Sequence, residues 1–180
     1  MRLILRVVTS VGFCGVLVWG SAVFSQEPSV PPDAGVLDPV AAKTDLYPFN
    51  TDAKKTIDEA LKLATTDRKR VLLIFGGNWC YDCHVLDRAL HEGAAGKIVS
   101  ESFLLVHVDI GEGEKNPDLV KKYKITLDKG VPVVAILRSD GKLLYGSSDG
   151  EFEAARKMMK VDLVAFLKRW RGSSLQNRDR

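Results

Sequence analysis

Two cysteines three residues apart, Cys80 and Cys83, stand in the run Trp79-Cys80-Tyr81-Asp82-Cys83-His84. An apolar stretch at residues 71–75 precedes them, and Val85, Leu86, Ala89 and Leu90 follow at helical spacing, so the motif falls at a strand-to-helix junction. Cysteines so spaced at a helix start share one face, within the Cα separation a disulfide tolerates. Cys80 would stand where the first backbone N–H groups lack partners. Those donors and the helix dipole favour the thiolate, which is the nucleophile. Cys83, one turn further in, would be more buried and would act second. It attacks the mixed disulfide at Cys80, forms the Cys80–Cys83 disulfide and releases the reduced substrate. This exchange needs no metal and no organic cofactor.

Other chemistry is open to the same residues. A purely structural Cys80–Cys83 bridge would close a very small loop and add little stability. A zinc site would recruit His84 or His91, but no second ligand pair follows at the usual spacing. Cys-x-x-Cys-His is also the attachment motif of c-type haem, in which His84 would bind iron and Met158, Met159 or His107 would be its second ligand. Against haem stands the buried-type strand directly before the motif.

The elements that must position the motif can be read from pattern. Asn50-Thr51-Asp52 starts a helix with Ile57, Ala60, Leu61 and Ala64 on one face. Residues 71–75 and 103–110 read as strands, 97–103 as a short helix or the continuation of the preceding one, and 111–115 as a loop. Asn116-Pro117-Asp118 opens a helix to about Tyr123, residues 131–137 form a strand, and Ser139-Asp140-Gly141-Lys142 turns into a partner strand at 143–146. A last helix is expected over 153–170. The order α-β-α-β-α-β-β-α gives an α/β fold. Two crossovers make parallel strands and the closing hairpin is antiparallel, so a central mixed sheet carries helices on both faces.

With 180 residues and 46% hydrophobic content, the chain can bury one ordinary core. A mean hydropathy of -0.03 excludes a multi-span membrane protein. The net charge of +3 is lowered by two if Arg2 and Arg6 leave with a secretory leader, so there is no nucleic-acid footprint. Residues 1–25 have the parts of such a leader: a basic start, an apolar run and small residues before Gln26. The expected organisation is a signal peptide at 1–25, a Pro-rich linker at 26–47, a domain at 48–171 and a polar tail at 172–180. The protein is thus expected to be exported to a periplasmic or extracellular space, with the leader cleaved or retained as an anchor. Cys14 belongs to the leader.

With its motif on that junction, the chain resembles the thioredoxin superfamily. The resemblance covers roughly residues 71–145. It rests on the apolar strand, Trp79-Cys80-x-x-Cys83, the Asn116-Pro117 helix with Lys122-Tyr123, and Gly130-Val131-Pro132 entering the strand before Asp140-Gly141-Lys142. The nearest group is that of exported thioredoxin-like proteins, similar to the C-terminal domain of the electron-conducting membrane protein DsbD. The resemblance implies a cis Pro132 packed opposite the cysteines and a Val131 backbone that pairs with an extended substrate segment. Trp79 and Tyr81 complete the expected substrate surface. The chain departs from cytoplasmic thioredoxin in four places. Ile74 stands where a buried Asp is expected and His107 where its partner Lys is expected, while the loops at 111–115 and 126–129 are longer. The usual proton acceptor for Cys83 is therefore missing, and His107, Asp82 or water are the candidates for its task.

The Asp82 carboxylate disfavours a thiolate beside it, whereas His84 pulls weakly the other way. Strong oxidants of this fold stabilise the reduced thiolate, so the dipeptide points to a protein-disulfide reductase rather than an oxidase. Disulfide-bonded proteins are the expected partners, a membrane electron donor is a further one, and the chain is expected to be a monomer. A different class of reading is a binding or chaperone module that uses the groove beside Pro132.

Overall fold

Asp52 caps the first helix among the described residues, α1 (Ala53–Asp67): its carboxylate accepts the Lys55 N–H at 3.0 Å. The computed structural model describes residues 34–41 and 45–172. The expected leader with Cys14, part of the Pro-rich stretch and nearly all of the tail lie outside the described residues. Replacing Asp52 by alanine is expected to cost about 1 kcal/mol, read as a lower denaturant midpoint with an unchanged slope.

After α1 come β1 (Arg70–Gly76), α2 (Tyr81–His91), α3 (Gly93–Ser102), β2 (Phe103–Asp109), α4 (Pro117–Lys122), β3 (Val133–Leu137), β4 (Leu143–Gly146), a single 3-10 turn at Ala155–Lys157, and α5 (Lys160–Trp170). The sheet order is β2-β1-β3-β4. β1 is central and paired on both edges, which is why its sequence is a continuous apolar run without alternation. Its two faces nonetheless separate by period two. Leu72 and Ile74, with Val134 and Ile136 of β3, pack under α2, α3 and α5. Val71, Leu73 and Phe75, with Val133 and Ala135, pack under α1 and α4. The chain has the mixed sheet with helices on both faces expected of it.

Two expectations are corrected. β1 and β2 are parallel, but β3 runs antiparallel to β1, with Phe75 opposite Val133. The reason is length. α4 has six residues and spans about 9 Å, against about 23 Å for the seven residues of β2. It is too short to lie along the strands as a full crossover helix, and β3 begins at the end where β1 stops, beside the cysteines. The last helix is likewise shorter than expected. Met158 and Met159 are extended, because Leu37 N–H donates to the Met158 carbonyl and Lys160 N–H to that of Gly35. Leu37 is buried in the main core and Tyr47 is buried over the motif, so these two residues of the Pro-rich stretch pack against the domain.

Candidate active site: the Cys80–Cys83 pair

Cys80 is the N-cap of α2, and its sulfur accepts the Cys83 N–H at 3.1 Å. The two cysteines are joined as a disulfide with their Cα atoms 5.3 Å apart. They are placed unequally: Cys80 is 5% exposed at the helix start, and Cys83 is 0% exposed one turn in. Cys80 Sγ lies 3.6 Å from the Val131 carbonyl oxygen. The Val131–Pro132 peptide bond is cis. The β1–β3 ladder ends at the Phe75–Val133 pair, so Val131 stands beyond the sheet and next to the disulfide.

Trp79 and Tyr81 flank Cys80 and are 56% and 40% exposed. The Trp79 indole N–H donates to the Gly111 carbonyl at 2.8 Å, which ties the long loop after β2 to the motif. Asp109 anchors that loop from within, accepting from Gly111 N–H at 2.9 Å and from Lys115 at 2.7 Å.

The remaining candidates are placed differently from their sequence reading. Asp82 does not face Cys80 as an open charge. It is buried, accepts the Arg156 N–H at 2.8 Å and is ion-paired with the Arg156 guanidinium. Its negative charge on the cysteines is therefore offset by a cation brought from the 3-10 turn. Arg156→Ala should cost about 1–2 kcal/mol, a discounted figure because the guanidinium is half exposed, and should raise the Cys80 thiol pKa. Thermal unfolding and thiol titration would check both effects. His84 is buried, and its Nε2 lies 2.8 Å from the Asn78 carbonyl oxygen. Only a nitrogen bearing hydrogen can donate there, so Nε2 is not free to bind iron, and the haem reading does not fit.

His107 stands opposite Ile74 in the β1–β2 register, as expected from their family positions. It packs edge-to-face on the Tyr47 ring at 5.2 Å between centroids, and its Nε2 is 3.2 Å from Asp87 Oδ1, without hydrogen-bond alignment. Tyr47, Asn78, Asp87 and Arg156 were not singled out in the sequence. Asp87 alone had a signal there, since it follows Cys83 by one helical turn. Tyr47 packs directly on the two cysteines, held by Asn78, whose side chain bonds both the Tyr47 N–H and its carbonyl at 2.8 Å.

The thioredoxin-like family profile matches residues 52–139. A crystal structure described as a disulphide isomerase from Xylella fastidiosa is 32% identical. The match covers 69% of this chain and 95% of that one, with a TM-score of 0.63. The reduced C-terminal domain of DsbD from Neisseria meningitidis is 20% identical over 64% of this chain and 95% of that one, with a TM-score of 0.48. No curated protein sequence matches. The profile match, together with a relative 32% identical across two thirds of this chain, places this protein in the thioredoxin-like family, and its strand, its Cys80–Cys83 pair at a helix start and the cis Val131–Pro132 bond beside that pair give it the fold of a disulfide oxidoreductase.

Proposed function

We propose that this protein is an exported protein-disulfide reductase. Cys80 attacks the client disulfide, and Cys83 resolves the mixed disulfide. The observation that carries the reading is the unequal placement of the two sulfurs: Cys80 at the helix start beside Val131, and Cys83 wholly enclosed. An extended client segment would pair with the Val131 backbone beyond the ladder, between the exposed Trp79 and Tyr81. Each turnover moves two electrons from the dithiol to the client, and a membrane dithiol donor would restore them. The chain acts as a monomer in this reading.

The direction is supported by the charges around the pair. No Lys or Arg lies in the first turn of α2, the Arg156 guanidinium is taken by Asp82, and Asp87 is buried one turn beyond Cys83. With Asp82 offset by Arg156, the Asp87 carboxylate is the acid left near the pair; a nearby carboxylate disfavours the thiolate form, and a less stable reduced state is a stronger reductant. The relative described as a disulphide isomerase favours a second reading, isomerisation at the same site. Equilibration with glutathione separates them. A potential near or below about −220 mV supports the reductase, about −180 mV the isomerase, and about −120 mV would reverse the direction and make the protein a disulfide donor. The same preparation should reduce insulin disulfides when a small dithiol regenerates it. Failure to do so would defeat the reductase reading.

A further inference from the structure

Cys83 must become a thiolate to resolve a mixed disulfide, yet it is enclosed, and burial pushes a thiol pKa up. The carboxylate expected on β1 for this purpose is absent, since Ile74 occupies its place. Another polar group stands at the sulfur. A Cβ built on Gly76 would lie 2.5 Å from Cys83 Sγ and 2.5 Å from the Tyr47 hydroxyl, so those two atoms are at most twice that apart. The Tyr47 side chain is 1% exposed, and in the disulfide form its hydroxyl has no hydrogen-bond partner among the described residues. Buried hydroxyls are seldom left so without a reason.

We propose that the missing partner is Cys83 itself in the reduced protein: Tyr47 is a positioning residue whose O–H donates to the Cys83 thiolate. The inference deepens the dithiol mechanism and rests on it. The groups facing this pair are Asp87 on α2 and His107 and Asp109 on β2. Burial, with Asp87 and Asp109, holds the phenol above its ordinary range, so it keeps its proton and remains a donor wherever Cys83 ionises. In the resolving step the Cys83–Cys80 bond forms and the Cys80–client bond breaks. The electron pair leaves on the client sulfur, which takes from solvent the equivalent of the proton Cys83 gave up. Tyr47 keeps its own proton throughout and stabilises the thiolate before attack.

The test is Tyr47→Phe in the full chain, which keeps the ring and removes only the donor. The pH dependence of thiolate absorbance, reduced minus oxidised, should give an upper thiol pKa about one unit higher than in the parent, and the mixed disulfide should resolve about tenfold more slowly at neutral pH. The oxidised variant should be no less stable, because its hydroxyl was unpartnered. Asn78→Ala, which frees the Tyr47 backbone, should move the same pKa in the same direction and serves if the first variant misfolds. An unchanged upper pKa in these variants overturns the proposal. The titration needs no client, so a protein that shows the shift but reduces no disulfide would retain the Tyr47 role and lose the reductase reading.

Discussion

Cys83→Ser is expected to stop turnover while client proteins accumulate covalently on Cys80. The first attack needs only the Cys80 thiolate, which keeps its N-cap position at α2. Release needs a second thiolate, and among the described residues Cys83 is the cysteine that reaches Cys80. Without it the mixed disulfide persists until an external thiol cleaves it. Cys80→Ser should lose turnover by at least about a thousandfold, the scale seen when a nucleophile is removed, and should trap nothing. Non-reducing gels with mass spectrometry of the adducts would check both. A binding or chaperone module at the same groove would behave differently: Cys80→Ser would keep its cellular role, and Cys83→Ser would collect few adducts.

Gly76→Ala is the second change with a large expected effect. Gly76 is the last residue of β1, paired with Asp109, and its carbonyl accepts the Ile110 N–H at 2.9 Å. A methyl group there would meet Cys83 Sγ and the Tyr47 hydroxyl, both at 2.5 Å. Neither neighbour can yield easily. Cys83 is fixed in α2 and bonded to Cys80, and Tyr47 is enclosed and clamped by Asn78. Overpacking of this kind costs about 1–3 kcal/mol. The strain should also displace Tyr47 from the disulfide, so the variant should be less stable and its cysteines more accessible to alkylating agents after reduction. A variant as stable as the parent, with unchanged thiol reactivity, would show that the packing around Gly76 is looser than these distances imply.

Much of the scaffold was legible because it depends on local pattern. The apolar run of β1, the Asp52 cap, the Asn116-Pro117 helix start and the 139–142 turn each announce themselves within a few residues. Strand direction was not legible in the same way. Reading two crossovers as parallel ignored the short span of α4, which leaves β3 antiparallel to β1. Pattern alone starts the last helix at 153, whereas Gly35–Leu37 draws Met158 and Met159 into extended backbone, a contact between segments far apart in the chain.

The sequence by itself determined the chemistry available: two thiols one helical turn apart at a strand-to-helix junction, with a Val-Pro step fifty residues later. Their spacing is a local quantity, and local geometry follows from it. Tertiary structure decided the environment of those thiols. It paired Asp82 with Arg156, turned His84 onto Asn78, set Asp87 against His107, and laid Tyr47 over Cys83. Reactivity depends on charge, burial and hydrogen bonds within a few ångströms, and those few ångströms are filled by residues from five separate stretches of chain.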